Sequence, residues 1–179
     1  MRVITGTAKG CRLETLEGME TRPTGERVKE GIFSAISFDI EGRRVLDLFA
    51  GSGQMGIEAL SRGAASCVFV DRNRQAAEVV RRNLRAAKVD GAAQVMCRDA
   101  NEYLCSAAGP FDLVFLDPPY AAGLTESCLE HLSGKIASGG SVVCESDRET
   151  DLPETVGTLA LYRSYRYGRV VVRIYRERG

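Results

Sequence analysis

The segment Asp47-Leu48-Phe49-Ala50-Gly51-Ser52-Gly53-Gln54-Met55-Gly56 decides the fold. It places a Gly-x-Gly-x-x-Gly pattern where an apolar, strand-like run at 45–49 ends and a helical pattern begins. Glycines at this junction allow a tight turn and let a ligand approach the bare backbone. The segment therefore predicts a nucleotide-type cofactor site at the end of a first buried strand.

The rest of the chain alternates strand-like and helical patterns, which is typical of a doubly wound α/β domain. Buried parallel strands are predicted at 45–49, 67–70, 94–97, 113–116 and 141–144. One helix carries an apolar face of Ala76, Val80, Leu84 and Ala87, and a second carries Leu124, Cys128, Leu132 and Ile136, ended by Gly139-Gly140. Runs at 158–165 and 169–175, joined by a turn at 166–168, predict a C-terminal antiparallel hairpin. We therefore expect a Rossmann-like, mainly parallel, seven-stranded sheet closed by this hairpin.

The N-terminal part precedes the sheet. Residues 2–16 alternate weakly and contain two glycines, which favours a small hairpin. Thr24 is expected to open a helix whose apolar face carries Val28, Ile32 and Ile36. Since no linker separates these parts, we expect one domain over 1–179, with 1–42 as an appendage on a core at 43–179.

Composition excludes several classes of protein. The 179 residues are 44% hydrophobic with 24 cationic and 24 anionic side chains, which argues against disorder and makes any nucleic-acid surface a local one. Six cysteines without a CxxC pair and one histidine, His131, do not support a metal site or a Ser-His-Asp triad. No run is long and apolar enough to span a bilayer, so we expect a cytoplasmic protein.

Acidic residues at the strand ends indicate the kind of cofactor. Asp71 stands twenty residues after Gly51 at the end of the second strand, where a carboxylate can accept both ribose hydroxyls of an adenosine. This pair alone fits a nicotinamide dinucleotide as well as S-adenosylmethionine. Asp47 would repel a pyrophosphate but suits a cationic methionyl end, and so favours S-adenosylmethionine. Asp99 follows the third strand and could accept from an adenine amino group, cap a helix, or do both. The candidate cofactor residues in these segments are Asp47, Phe49, Ala50, Gly51, Ser52, Gly53, Asp71, Arg72, Asp99 and Ala100.

The segment Asp117-Pro118-Pro119-Tyr120 follows the fourth strand and is the candidate catalytic segment. Two consecutive prolines fix the backbone and remove two donors, which favours a site that accepts hydrogen bonds from an exocyclic amine. Accepting both amine hydrogens would aim the nitrogen lone pair at a methyl group. Tyr120 would stack on a base taken out of its helix. The alternative is a rigid structural loop with Tyr120 covering the core.

The sequence resembles the small, single-domain bacterial 16S ribosomal RNA guanine-N2 methyltransferases. The resemblance covers nearly the whole chain. It is carried by segments 2–6, 9–10, 22–24, 27–30, 47–53, 57–64, 117–120 and 145–146. The N-terminal match is the specific part, because Asp-Pro-Pro-Tyr also occurs in adenine-N6 methyltransferases.

The resemblance implies transfer of a methyl group from S-adenosylmethionine to a guanine N2 in small-subunit rRNA, free or in an assembling subunit. It also implies that Arg22 and Thr24 help to close the cofactor site, and that Lys9, Arg12 and Arg27 meet RNA. We expect a monomer without a metal. Three alternatives stay open at this point: adenine-N6 methylation of DNA or RNA, a nicotinamide-dependent oxidoreductase, and an RNA-binding module without activity.

Overall fold

The computed structural model describes residues 1–16, 25–37, 40–119 and 123–178, and its main feature is one sheet. The strands are β1 (Arg44–Leu48), β2 (Ser66–Asp71), β3 (Ala93–Cys97), β4 (Phe111–Leu116), β5 (Ile136–Asp147), β6 (Thr155–Val156), β7 (Leu159–Tyr167) and β8 (Val170–Glu177). The helices are α1 (Glu26–Ala35), α2 (Gln54–Ser61), α3 (Arg74–Ala87), α4 (Ala100–Ser106) and α5 (Leu124–Leu132), with a 3-10 turn at Asp90–Ala92.

The sheet has the order β3-β2-β1-β4-β5-β8-β7-β6. Strands β1 to β5 are parallel, and β8, β7 and β6 continue the sheet in antiparallel pairs. Apolar side chains alternate between the two faces, so that Val45 and Leu46 enter separate clusters on opposite sides. Among the described residues, no helix is both long and apolar enough to cross a membrane.

The predicted α/β fold is confirmed, but the expected count of seven strands is wrong. The eighth strand is β6, which contains two residues and pairs with Leu159 and Ala160 of β7. Two residues cannot produce a visible alternation of apolar and polar positions, so sequence patterns do not detect such a strand.

The second predicted helix is too long at its C-terminal end. Helix α5 ends at Leu132, and Gly134 then adopts a left-handed conformation with φ +77° that stops the helix. Ile136 is the first residue of β5, and Gly139-Gly140 lie inside that strand rather than at a helix end. Ile136 fits both patterns because it is four residues after Leu132 and is also apolar and β-branched.

The C-terminal hairpin is present, with its turn shifted from the predicted position. Arg166 and Tyr167 belong to β7, and the chain reverses at Gly168-Arg169 with Gly168 at φ +63°. Since Asp147, the last residue of β5, pairs with Val170, the tip of this hairpin lies at the carboxyl edge of the parallel strands.

The N-terminal hairpin is reduced to a single bridge between Arg2 and Arg12. Val3 donates its amide to the Cys11 carbonyl at 2.9 Å, and Val3, Ala8 and Leu13 are buried in the main core. The N-cap residue of α1 is Gly25, without a side-chain hydrogen bond, while Thr24, the predicted opener, lies outside the described residues.

Candidate active site

The candidate site lies at the topological switch point of the sheet, between β1 and β4. Strand β1 has β2 and β3 on one side and β4 and β5 on the other. Connections leaving the carboxyl ends of β1 and β4 diverge at such a point and open a crevice where ligands bind in α/β sheets. The glycine segment follows β1 and the Asp-Pro-Pro segment follows β4, so the fold brings the predicted cofactor and catalytic segments to one crevice.

The glycine segment adopts a strained conformation that neighbouring strands hold in place. Phe49, Gly51 and Gly53 all have positive φ angles, of 62°, 54° and 78°. A left-handed phenylalanine costs on the order of 1 kcal/mol or more and persists only where its surroundings fix it. The Ala50 amide donates to the Val70 carbonyl at 3.0 Å, and the Gly51 amide donates to Asp71 Oδ2 at 2.9 Å. These hydrogen bonds to β2 hold the loop in this shape.

Asp47 is the buried acid at the base of the crevice. Its side chain is 4% exposed, and Oδ2 accepts a hydrogen bond from the Gly56 amide of α2 at 2.9 Å. Burial raises the pKa of Asp47 to about 7, the Gly56 hydrogen bond opposes this rise, and the charge of Asp71 adds to it. A carboxyl group in this condition gains from a cation placed beside it, since the cation favours its ionised form.

Asp71 is the last residue of β2, and Asp99 immediately precedes α4. Both carboxylates accept hydrogen bonds from backbone amides. Asp71 accepts from the Gly51 amide at 2.9 Å and from the Asn73 amide at 2.8 Å through different oxygens. Asp99 is the N-cap of α4 and accepts from the Asn101 amide at 2.9 Å through Oδ1. The helix-cap interpretation of Asp99 is therefore confirmed. Each carboxylate oxygen can accept more than one hydrogen bond, so both acids can still receive a ligand hydroxyl or amine.

The side chain of Gln54 adds a buried acceptor beside the glycine segment. Gln54 is the first residue of α2 and is 9% exposed, and its Oε1 atom accepts no hydrogen bond from the part of the chain that the structure describes. Buried acceptors without a donor are rare because they cost free energy, and they often mark a place where a ligand supplies the donor. The set of acceptors at this crevice suits a ligand with cations, hydroxyls and amines better than one with a pyrophosphate.

Asp117 and Glu145 stand together on the other side of the crevice. Leu116 of β4 and Cys144 of β5 are paired in the sheet, so the next residue on each strand brings these two acids side by side. Glu145 is 8% exposed. By surface area Asp117 is exposed to the crevice, although protein surrounds it on most sides. This enclosure raises the pKa of Asp117, and the charges of Glu145 and then Asp47 raise it further; open contact with water moderates the rise.

A cavity of about 140 Å³ opens beside this acidic pair. Its lining includes Pro118, Pro119, Glu145, Ser146 and Asp151. Below it, the Arg173 guanidinium donates to Ser146 Oγ at 2.6 Å and fixes that hydroxyl. The described part of the chain has no group of three His, Cys, Asp or Glu side chains that could hold a metal ion.

The remaining predicted site residues are distributed over several parts of the chain. Ser52 is in the glycine segment, exposed Arg72 follows β2, and buried Ala100 opens α4. Arg12 and Arg27 are exposed near the start of α1, where Arg2 bridges Arg12 and pairs with Glu26. Arg22, Thr24 and Tyr120 lie outside the described residues.

Lys9 lies at the opposite edge of the sheet from the crevice. The neighbouring Ala8 amide donates to Ser61 Oγ, and Ser61 is the last residue of α2. Since α2 runs away from the carboxyl edge of β1 over eight residues, about 12 Å separates its ends. Lys9 is thus not brought together with the catalytic segment.

Asn83 is a site residue that the sequence interpretation missed. It is 1% exposed on α3, and its amide nitrogen donates to the Ser52 carbonyl at 2.9 Å and to the Glu14 carbonyl at 3.0 Å. Its oxygen accepts from the Glu14 amide at 2.8 Å. A polar residue three positions after Val80 on the apolar face of α3 is the signal that could have identified it. Asn83 joins the glycine segment to the N-terminal segment.

Fold and site together define an α/β methyltransferase-type protein: a Rossmann-like sheet with an antiparallel hairpin and acidic crevice residues on both sides of the switch point. The chain matches the profile of the family described as "Conserved hypothetical protein 95" over residues 1–176. It is 45% identical over 184 residues, with full coverage of both chains, to "Putative rRNA methyltransferase YlbH" of Bacillus subtilis.

Two further likenesses agree with this match. The chain is 34% identical to "Ribosomal RNA small subunit methyltransferase D" of Escherichia coli K12, covering 99% of this chain and 90% of the relative. It superposes with a TM-score of 0.89 and 34% identity on the structure titled "Putative methyltransferase yhhF from Escherichia coli", covering 99% and 97% of the two chains. The chain belongs to the Conserved hypothetical protein 95 family.

Proposed function

We propose that this protein transfers a methyl group from S-adenosylmethionine to the N2 amine of one guanine in small-subunit rRNA. It acts as a cytoplasmic monomer on free rRNA or on the assembling subunit. Support comes from the full-length similarity to relatives named as rRNA methyltransferases and from the acidic crevice. The nicotinamide alternative is disfavoured because Asp47 at the base of the crevice is unsuited to a pyrophosphate.

The acceptors along β1 to β3 would hold the cofactor. Asp47 would face its cationic methionyl end, Asp71 its ribose hydroxyls and Asp99 its adenine amine. Gly51 gives it open backbone, while Gly53 packs closely against Val80 of α3. When bound, S-adenosylmethionine supplies an electrophilic methyl group. The role of this chain at that side of the crevice is to orient the cofactor toward Asp117.

The Asp117-Pro118-Pro119 segment would act on the amine. A purine exocyclic amine is a weak nucleophile because its lone pair is delocalised into the ring. If Asp117 accepts one amine hydrogen and the Pro118 carbonyl accepts the other, the nitrogen is biased toward sp3 geometry and its lone pair is directed at the methyl group. The nitrogen gains a methyl group and loses one proton, which the neighbouring carboxylate can take. Pro119 would keep the segment rigid, and Tyr120 would stack on the base.

Buried Glu145 is the single observation that favours guanine over adenine. It lines the same cavity as Pro118 and stands beside Asp117 at the next strand end. Guanine presents N1–H and N2–H₂ as adjacent donors, which two neighbouring carboxylates can accept. Adenine presents a bare N1 lone pair at the corresponding place, so the Glu145 carboxylate would face a second acceptor there instead of a donor. Such a mismatch costs about 1 to 3 kcal/mol per group.

The product of the reaction tests this proposal. We expect rRNA or small subunits incubated with the protein and S-adenosylmethionine, then digested to nucleosides, to yield N2-methylguanosine by mass spectrometry. DNA and bulk protein serve as parallel substrates and should take no methyl group. N6-methyladenosine as the main product would overturn the choice of base. If neither the rRNA nor the small subunits take up a methyl group, the proposed function itself is overturned.

The raised pKa of Asp47 gives a second test, of the cofactor assignment. Below about pH 7 the carboxyl is largely protonated, so a ligand cation must displace a proton to form its ion pair. We therefore expect the affinity for S-adenosylmethionine, measured by calorimetry, to rise roughly eightfold from about pH 6 to about pH 7.5.

Two controls isolate this effect. 5′-Methylthioadenosine lacks the amino-acid end and should bind with little dependence on pH. Asp47→Asn keeps the acceptor for the Gly56 amide but has no proton to release, so its affinity for S-adenosylmethionine should be lower and flat with pH. An equal slope for Asp47→Asn and the parent protein would count against this placement of the cofactor.

A further inference from the structure

The outer part of the C-terminal hairpin concentrates positive charge. Residues 162–178 contain six arginines and one acidic residue, in a chain whose formal net charge is zero. The single acid, Glu177, accepts a hydrogen bond from Thr158 Oγ1 at 2.8 Å. Charge clustered in this way on one element produces a local positive field even in a neutral protein.

Three of these arginines follow one another along β7 and the turn after it. Arg163, Arg166 and Arg169 are all exposed, and none of them forms an ion pair with any residue in the described part of the chain. On its outer side, strand β7 pairs at Leu159 and Ala160 and donates the Leu161 amide to the Glu154 carbonyl; within the described residues, no ladder pairing is found on that side from 162 onward. Alternation along the strand places Arg163 and Arg166 on opposite faces of this open edge.

An aromatic side chain accompanies the arginines. Tyr162 is 46% exposed, and the guanidinium groups of Arg176 and Arg163 lie over its ring at 4.0 Å and 4.9 Å from the centroid. Exposed aromatic rings interleaved with arginines are the combination that single-stranded nucleic acids bind, by stacking and by contact with phosphates.

The position of the hairpin relates this surface to the crevice. The turn at Gly168-Arg169 is at the carboxyl edge of the sheet, where the Arg148 amide donates to the Arg169 carbonyl at 2.9 Å. Strand β8 separates β7 from β5, the strand that carries Glu145. From Arg163 to Arg169 these three residues extend over roughly 15 Å of strand and turn, enough to contact more than one phosphate of one RNA strand. Lys9, by contrast, is at the far edge.

We propose that Tyr162, Arg163, Arg166 and Arg169 form an RNA-docking strip that holds the strand flanking the methylated base. The proposal rests on the proposed function, because it needs RNA as the substrate. It adds a surface on the β5 side of the crevice, and Tyr167 of the same hairpin packs against Gly31 of α1, the helix that carries Arg27. The strip binds the RNA backbone, so it contributes affinity with little sequence preference.

Salt-dependent RNA binding tests the strip. We expect Arg163→Gln/Arg166→Gln/Arg169→Gln to bind a small-subunit rRNA fragment at least tenfold more weakly than the parent protein by fluorescence anisotropy at low salt. The slope of log affinity against log salt should shrink by about 2, since each lost single-strand phosphate contact removes about 0.7. The matched control is Arg81→Gln/Arg85→Gln/Lys88→Gln on α3, which removes the same charge at the opposite end of the sheet and should change affinity less than threefold.

A folding control and two contrary outcomes complete the test. A normal rise in melting temperature with S-adenosylmethionine shows that the triple variant is folded. Equal affinities and salt slopes for the strip variant and the parent would overturn the strip while leaving the proposed function intact. Absence of RNA binding by the parent protein itself would overturn the strip and count against the proposed function as well.

Discussion

Asp117→Ala should lower the rate of methyl transfer to rRNA by about 10²- to 10³-fold, the usual effect of removing one preorganised group that acts on the transition state. The affinity for S-adenosylmethionine should stay within about threefold, because the cofactor acceptors lie at the ends of β1 to β3. Single-turnover transfer and calorimetry measure the two quantities separately.

The other end of the same strand offers a matched control. Asp112 also lies on β4, but at the amino edge, where it accepts from the Arg44 side chain and amide. Asp112→Ala removes one carboxylate without touching the crevice, so its transfer rate should be within about twofold of the parent protein. Its effect should appear only as a small loss of stability, as expected of a partly exposed ion pair. Equal rates for the two variants would show that the Asp-Pro-Pro segment has a structural role only.

The pH profile gives an independent check on Asp117. Asp117 must be ionised to take the proton that the amine loses, and its pKa is raised by enclosure in the crevice and by the charges of Glu145 and Asp47. Transfer should therefore rise with pH through a pKa above the ordinary carboxyl range. At saturating S-adenosylmethionine, where the pH dependence of cofactor binding at Asp47 no longer affects the rate, this acidic limb should disappear from whatever rate remains in Asp117→Ala.

The sequence predicts where the glycine segment and the strand-end acids lie in the fold because these features are local signals. Gly51 and Gly53 mark a turn that needs left-handed backbone, and Asp47 and Asp71 stand at strand ends that alternation makes visible. The parallel order of strands then follows from general topology, which brings Asp117 to the same edge. These steps need no knowledge of long-range contacts.

The parts that were missed depend on contacts between distant segments. Nothing near Lys9 in the sequence indicates that Ser61, 52 positions later, holds that turn at the far edge of the sheet. Ile136 fits both a helix and a strand, and only its pairing with Phe111 decides between them. Strand β6 exists because two residues meet the edge of β7. Pairings of this kind are set by tertiary packing, which overrides local propensity.

The segments 27–30 and 57–64, which carry part of the family resemblance, are joined in the structure by a buried network of charged side chains. Glu58 is fully buried, and its two oxygens accept from the amides of Ile4 and Thr5 at 2.8 and 3.0 Å. It also pairs with Lys29 at 3.4 Å and with Arg62 at 2.9 Å. Lys29, 1% exposed, donates in turn to the Arg2 carbonyl at 2.7 Å. This buried network joins α1, α2 and the N-terminal segment.

Removing Glu58, the acid at the centre of this network, should strongly destabilise the protein. Glu58→Ala leaves the Lys29 ammonium buried without its carboxylate and two backbone amides without an acceptor. The free energy of unfolding should fall by about 3 to 5 kcal/mol, measured by urea denaturation. Burial already lowers the pKa of Lys29 and the charge of Glu58 opposes this, so the pKa should fall further in the variant and its stability should increase with pH relative to the parent protein.

Two comparisons decide whether burial is the cause. Glu78→Ala breaks an exposed ion pair with Arg74 on α3 and should cost less than about 1 kcal/mol. Glu58→Leu/Lys29→Met removes both buried charges and should recover part of the loss, although the amides of Ile4 and Thr5 still lack an acceptor. If Glu58→Ala were no more harmful than Glu78→Ala, the N-terminal segment would have to be held by its apolar contacts at Val3, Ala8 and Leu13 and by its hydrogen bonds to Ser61 and Asn83.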